Sequence, residues 1–176
     1  ISSADDGIEF FGGTVNCSNL VSAYCGDDAF DFDEGYSGKC QFLLAIMKEG
    51  EGNHAAEHNG ASHASTVNEF SNPVLYNCTF IGNKRANTFL VSFDHKSNGS
   101  YRNSIFLNSD EGFSFDFSQN FPVVDRMIAD ELVISHNLFD GIMNQNIFHL
   151  IPGEGETIDE IDSLYINSYF DNNVNL

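Results

Sequence analysis

Two short motifs written several times in alternation, in a chain rich in Phe, Asn and Gly, predict an all-β fold wound as a right-handed parallel β-helix of about six coils with protruding loops. The first motif reads ADDGIEFFGG at Ala4–Gly13 and GDDAFDFDEG at Gly26–Gly35. A worn copy, NHAAEHNGA, stands at Asn53–Ala61. The second motif has the form Asn/His-x-x-Phe, as in Asn77–Phe80, Asn103–Phe106, His136–Phe139 and Asn167–Phe170. Thr14–Val21 is a looser, earlier copy of it.

Aligned copies of the first motif form columns. Asp5, Asp27 and Asn53 share one, and Asp6, Asp28 and His54 the next. Ile8, Phe30 and Ala56 form a third, and Phe10, Phe32 and His58 a fourth, with Glu9, Asp31 and Glu57 between those two. Alternation at period two is the pattern of a short strand with one face inside and one outside. Weaker copies lie at Thr88–Phe93, Gly112–Phe117 and Asn146–Leu150. A cycle of strand, turn, strand, turn at about 22 to 33 residues is one coil of a solenoid, and like residues then stack about 4.8 Å apart. Ile8, Phe30, Phe10 and Phe32 are expected to build an aromatic ladder inside. Asn77, Asn103 and Asn167 are expected to bond amide to amide at the turns. Loops leave the coil at Gly50–Asn53, Gly60–Thr66, Phe121–Asp130 and Pro152–Asp162, and Asp125–Ile134 reads as a short helix or an additional strand.

At 176 residues the chain is expected to form a single domain, complete or part of a longer solenoid. It opens on Ile1 without an initiator Met or a signal peptide, so it reads as processed or as a piece of something longer. The net charge of −19, with 7 Lys and Arg against 26 Asp and Glu, argues against a nucleic-acid partner, because too few cations exist to neutralise phosphates. No run of apolar residues is long enough for a membrane-spanning helix.

The same charge favours bound cations. Asp5, Asp6, Glu9, Asp27, Asp28, Asp31 and Glu57 would gather on successive coils. Carboxylates about 5 Å apart repel one another unless a cation sits between them, and calcium takes such oxygen ligands. The competing reading has Asp6 and Asp28 accepting bonds from turn N–H groups, which needs no metal. Cys17 and Cys40 follow the first Asp of their coils at nearly the same distance, so a disulfide across coils is expected; buried free thiols are the alternative. The pairing of Cys25 and Cys78 is left open in this reading. His54-Ala-Ala-Glu-His58 resembles a zinc-protease motif, but in a strand the two imidazoles lie about 13 Å apart, too far for one metal. Tyr36, Lys39, His54 and His58 are candidates for lining a ligand groove.

The run Asp5–Phe42, with Gly12-Gly-Thr-Val-Asn16 and Gly35-Tyr-Ser-Gly-Lys39 in order, followed by Glu57-His-Asn-Gly60, resembles large secreted parallel β-helix repeat proteins of bacterial cell surfaces. The resemblance covers about residues 5–82 and implies an exported, extracellular or cell-surface location rather than a particular chemistry. Cys17 and Cys40 depart from it, standing where aliphatic residues are usual. The expected function is a structural or adhesive solenoid of the cell surface, the extracellular matrix or a filament, stabilised by calcium and stacking end to end through open rungs. The alternative is a carbohydrate-active enzyme, a polysaccharide lyase or hydrolase, or a carbohydrate-binding module.

Overall fold

Alternating residues in this chain can hide one face of each strand only if the next copy of the motif lies directly on top, and that is the arrangement found. The computed structural model describes residues 1–62, 69–116, 123–145, 147–154, 157–173 and 176. The first coil contains β1 (Ile8–Phe11), β2 (Cys17–Ser18) and β3 (Val21–Ala23). The second contains β4 (Phe30–Asp33), β5 (Lys39–Gln41) and β6 (Leu44–Ile46), and the third β7 (Ala56–His58), β8 (Val74–Tyr76) and β9 (Thr79–Ile81). The fourth follows with β10 (Phe89–Phe93), β11 (Gly99–Arg102) and β12 (Ile105–Leu107). In the fifth, β13 (Glu111–Asp116) leads through helix α1 (Val123–Ile128) into β14 (Leu132–Ser135) and β15 (Leu138–Asp140). The last strand is β16 (Phe148–Ile151), and helix α2 (Glu160–Asn172) follows it.

All strand pairs are parallel and join equivalent strands of successive coils. Sheet A runs β1-β4-β7-β10-β13-β16, sheet B β2-β5-β8-β11-β14 and sheet C β3-β6-β9-β12-β15. The fold is a right-handed parallel β-helix. The predicted columns are the register itself: Ile8 pairs with Phe30, Glu9 with Asp31 and Phe10 with Phe32, while Asp31 pairs with Glu57 and Phe32 with His58. Two motifs per coil were legible, but each coil carries three strands. Sheet B was not read as a sheet because its strands are short and, beyond the Cys17–Cys40 pair, carry no repeated letter. Asp125–Ile134 resolves into both of its alternatives, the end of α1 and the start of β14. Residues 63–66 of the Gly60–Thr66 loop, together with Phe117 and Asn146 from the weaker motif copies, lie outside the described residues.

The core is an aromatic stack. Phe10 lies 5.4 Å from Phe32 with the rings 8° apart, Phe32 5.0 Å from His58, His58 4.3 Å from Phe93 and Phe93 5.6 Å from Phe115. Parallel in-register strands impose this spacing, and offset stacking adds to the area each ring removes from water. His58 fills a Phe position in the ladder. It is fully buried, its Nε2 sits 2.8 Å from the Tyr101 hydroxyl, and its Nδ1 has no partner among the described residues. Burial holds its pKa down at about 3, so the ring is neutral in the folded protein. The unfolded chain takes up a proton near pH 6.5 and the folded one does not until about pH 3. This contribution to stability is therefore complete above pH 6.5 and is lost as the pH falls toward 3. A His58→Phe/Tyr101→Phe double variant, which completes the ladder without stranding the Tyr101 hydroxyl, should gain stability relative to the parent as the pH falls from 7 to 4 in urea unfolding.

At the turn between sheets B and C the residues Asn19, Phe42, Asn77, Asn103 and His136 all adopt left-handed backbone, with φ of 57, 59, 54, 53 and 58°. Asn tolerates this region better than most residues, which explains the repeated Asn of the second motif. The bonds between coils here run from backbone: Asn77 N–H donates to the Arg102 carbonyl at 3.1 Å and Asn103 N–H to the Ser135 carbonyl at 3.4 Å. Asn167 does not join them. It lies in α2, whose Asn-x-x-Phe letters serve a helix and bring Phe170 into the core.

The two ends differ. Over the last coil α2 buries Ile166 and Phe170, and the Phe170 ring stacks 5.2 Å from Phe148. Of the alternatives for an end (a further coil, another copy, or the chain's own segments folded over it), the last holds here: α2 supplies the apolar surface. At the first coil Ile8, Phe10, Cys17 and Leu20 are only partly buried, and Phe11, Val15 and Val21 are exposed.

Candidate functional site

The outer face of sheet A carries the acidic columns. Glu9, Asp31 and Glu57 stand in register on β1, β4 and β7, and the same column continues through Ser92, Ser114 and His149. At the start of these strands the coils are tied by side chains. Asp6 Oδ1 accepts from Asp28 N–H at 3.0 Å, and Asp28 Oδ1 accepts from His54 N–H at 2.6 Å. Each acid thus anchors the turn of the next coil, as the metal-free reading expected. Beyond the third coil the face turns to hydroxyls, with Ser114 donating to Ser92 at 3.0 Å and Ser92 to Asp94 at 2.9 Å.

The seven acids read as cation ligands do converge, in three groups whose potential ligand atoms lie within 4.8 Å of one another. Asp5, Asp6 and Asp27 form the most exposed; Asp6, Glu9 and Asp31 form the second; Asp28 and Glu57 join His54 in the third. Burial and like charge act together on these carboxyls. Asp31 is 7% exposed, and burial, then the charges of Glu57 and Asp28, push its pKa up to about 8. Glu57 rises to about 7 through burial and the charge of Asp28. Burial foremost also raises Asp6, Glu9, Asp27 and Asp94. The Asp31 Oδ1 atom is buried and has no hydrogen-bond partner among the described residues. Unpartnered buried carboxylate oxygens are costly, and a cation or a proton is what removes the cost.

The groove candidates divide. His54 belongs to the acidic face. His58, expected on the same strand face, points into the core, because β7 begins only at Ala56 and His54 lies in the turn before it. Tyr36 is not a groove residue either: it is fully buried, stacks 4.5 Å from Phe10, and its hydroxyl donates to the Val15 carbonyl at 2.6 Å. Lys39 is exposed on sheet B, where it lines a separate shallow pocket with Asn16, Gln41 and Tyr76.

Cys17 and Cys40 are register partners in sheet B, as expected, but they are free thiols. Their sulfurs lie 3.0 Å apart in a hydrogen bond, well beyond the roughly 2.05 Å of a disulfide. Burial raises the Cys40 pKa to about 12, which keeps the thiol protonated and unreactive. Cys25 contacts the Ser22 hydroxyl at 3.1 Å. All 4 cysteines should titrate as free thiols with Ellman's reagent in denaturant without added reductant; a count of two would restore the bridge.

Sequence reasoning missed a further surface, the outer face of sheet C. Val21, Leu44, Thr79, Ile105 and Leu138 form one outward column there, and Ala23, Ile46, Ile81, Leu107 and Asp140 the other. Val21, Ile105 and Leu138 are 47, 37 and 43% exposed. The signal was available as the aliphatic residues flanking the inward Phe of the second motif.

A stack of coils whose equivalent strands pair in three parallel sheets defines a parallel β-helix. Residues 1–162 match the family model described as a pectate-lyase-like beta helix domain, and the chain belongs to that family. No curated protein and no solved structure gave a significant match.

Proposed function

We propose that the protein binds an acidic polysaccharide along the outer face of sheet A, through divalent cations, calcium foremost, held by Asp6, Glu9, Asp31 and the neighbouring carboxyls. The observation that carries this reading is the buried, unpartnered oxygen of Asp31 among acids from successive coils. Two negative partners meet only if a cation lies between them, and calcium accepts oxygen ligands from both. Membership of the pectate-lyase-like family favours a polysaccharide as the partner. An exported, extracellular location fits the same picture.

Binding is favoured over elimination. A lyase acting on a uronate takes up a proton through a free basic group; none of the seven Lys and Arg residues lies on a strand of sheet A, and the imidazoles of this face, His54 and His149, lie against the carboxylates of Asp28 and Glu111. The test is calorimetric titration with polygalacturonate, with calcium and with chelator, alongside assays for unsaturated and reducing ends. Calcium-dependent binding without product supports the proposal. Release of reducing ends would make the face that of a hydrolase, and no binding in either medium would discard the carbohydrate reading.

Self-association is a second reading, favoured by the apolar outer face of sheet C. On its strands Asp140 is the one charged side chain, so two acidic copies would repel least there. End-to-end growth through the α2-covered coil is disfavoured. Sedimentation velocity should then show a dimer that Ile105→Lys dissociates; a monomer at all concentrations would remove this reading.

A further inference from the structure

We infer that Asp28, His54 and Glu57 form a binding site for a first-row transition ion of the zinc class, separate from the hard-cation positions formed by the other acids. The three come from the rim of sheet A where β4 and β7 begin. His54 Nδ1 lies 3.0 Å from Asp28 Oδ1 and 3.6 Å from Glu57 Oε1, and the three potential ligand atoms all lie within 4.8 Å of one another. Nitrogen and oxygen ligands about 2.0 to 2.2 Å from a tetrahedral ion lie roughly 3.3 to 3.5 Å from each other. The two imidazole distances bracket that edge, and the remaining edge, between the two carboxylates, is within 4.8 Å.

The donor set decides the kind of ion. Calcium and magnesium take oxygen almost exclusively, whereas imidazole with carboxylates suits zinc and its neighbours. The site is also built rather than incidental. Asp28 is 3% and His54 8% exposed, which is not the setting of a chance cluster of surface acids. Asp28 Oδ1 is oriented by the backbone N–H of His54 at 2.6 Å, the kind of hydrogen bond that holds a ligating carboxylate in place.

A second observation points to a ligand at the same place. Asp31 is the register partner of Glu57 on the adjacent strand, is 7% exposed, and has an oxygen without a hydrogen-bond partner among the described residues. Glu57 stands one strand spacing from Asp31, so a cation held by Glu57 brings positive charge next to that carboxyl, which itself converges with Asp6 and Glu9. The Asp31 oxygen also supports the polysaccharide reading, but the two are tested separately, since a protein that binds no sugar can still bind the ion.

The test uses the chelator-treated full chain. Cobalt(II) is titrated and followed by its visible absorption, with zinc(II) added as competitor and calcium in parallel. One equivalent of cobalt should develop d–d bands that zinc abolishes and millimolar calcium leaves in place. His54→Gln should weaken cobalt binding more than about a hundredfold, beyond what loss of an outer-shell partner costs. His149→Gln, on the same sheet but at the far coil, should leave it unchanged. Glu57→Gln serves as a second ligand variant, and circular dichroism reports whether each variant is folded. Equal cobalt affinity in folded His54→Gln and parent, or displacement of cobalt by calcium at matched concentration, overturns the assignment and leaves His54 as an ion-pair partner of Asp28.

Discussion

Replacing Phe93 with alanine should destabilise the protein by about 3 to 5 kcal/mol, the range for removing a buried aromatic ring from a close-packed core. Phe93 is fully buried at the centre of the stack. Its ring meets His58 at 4.3 Å, Phe115 at 5.6 Å and Phe113 at 6.1 Å, and Tyr101 edge-on at 6.2 Å. These neighbours come from the third, fourth and fifth coils. The cavity cannot easily close, because every neighbour is held by its own strand register. Phe11→Ala, on the exposed first coil, should cost less than about 0.5 kcal/mol, as surface positions usually do. Urea unfolding followed by circular dichroism distinguishes the two. In a solenoid each coil touches only its neighbours, so the Phe93 change should also broaden or split the transition. A loss at Phe93 no larger than at Phe11 would mean that the stack is not the source of stability.

What the sequence made legible follows from what a solenoid repeats. Side chains stacked coil upon coil must satisfy the same surroundings, so Phe10 and Phe32, or Glu9 and Asp31, are similar letters at similar places. Sheet A was readable down to its register for this reason. Sheet B was not, because its inward column runs Cys17, Cys40, Leu75, Tyr101 and Ile134, which after the two cysteines share no letter and fill a changing cross-section. Asn167 misled because Asn-x-x-Phe suits both a left-handed turn before a strand and the last turns of a helix. The candidate site was half legible. Its acids stand in the repeated motif, but the role of His54 depends on the chain turning before Ala56, and a period-two reading of the motif put His54 and His58 on one face.

Asp31→Asn should raise the stability of the cation-free protein near and above neutral pH, and by more as the pH rises. The folded-state pKa of Asp31 is raised to about 8 by burial and by Glu57 and Asp28, against 3.8 for the free side chain. Between those values the folded protein holds a proton that the unfolded chain has released. Stability from this group is therefore greatest below pH 4 and declines as the pH climbs toward 8. Glu57, raised from 4.5 to about 7, acts in the same direction. His58 acts oppositely and on the acid side, so the parent should be most stable in mildly acidic solution. Asparagine keeps the shape and carries no charge, so the variant should match the parent near pH 4 and exceed it by a few kcal/mol at pH 8. Divalent cations invert the comparison: they stabilise the ionised parent by mass action and have less to bind in the variant. Urea unfolding from pH 4 to 9, with chelator and then with calcium or zinc, tests both halves. Parallel pH profiles for parent and variant would show that Asp31 is an ordinary ionised carboxylate, and the case for a cation on this face would lose its main support.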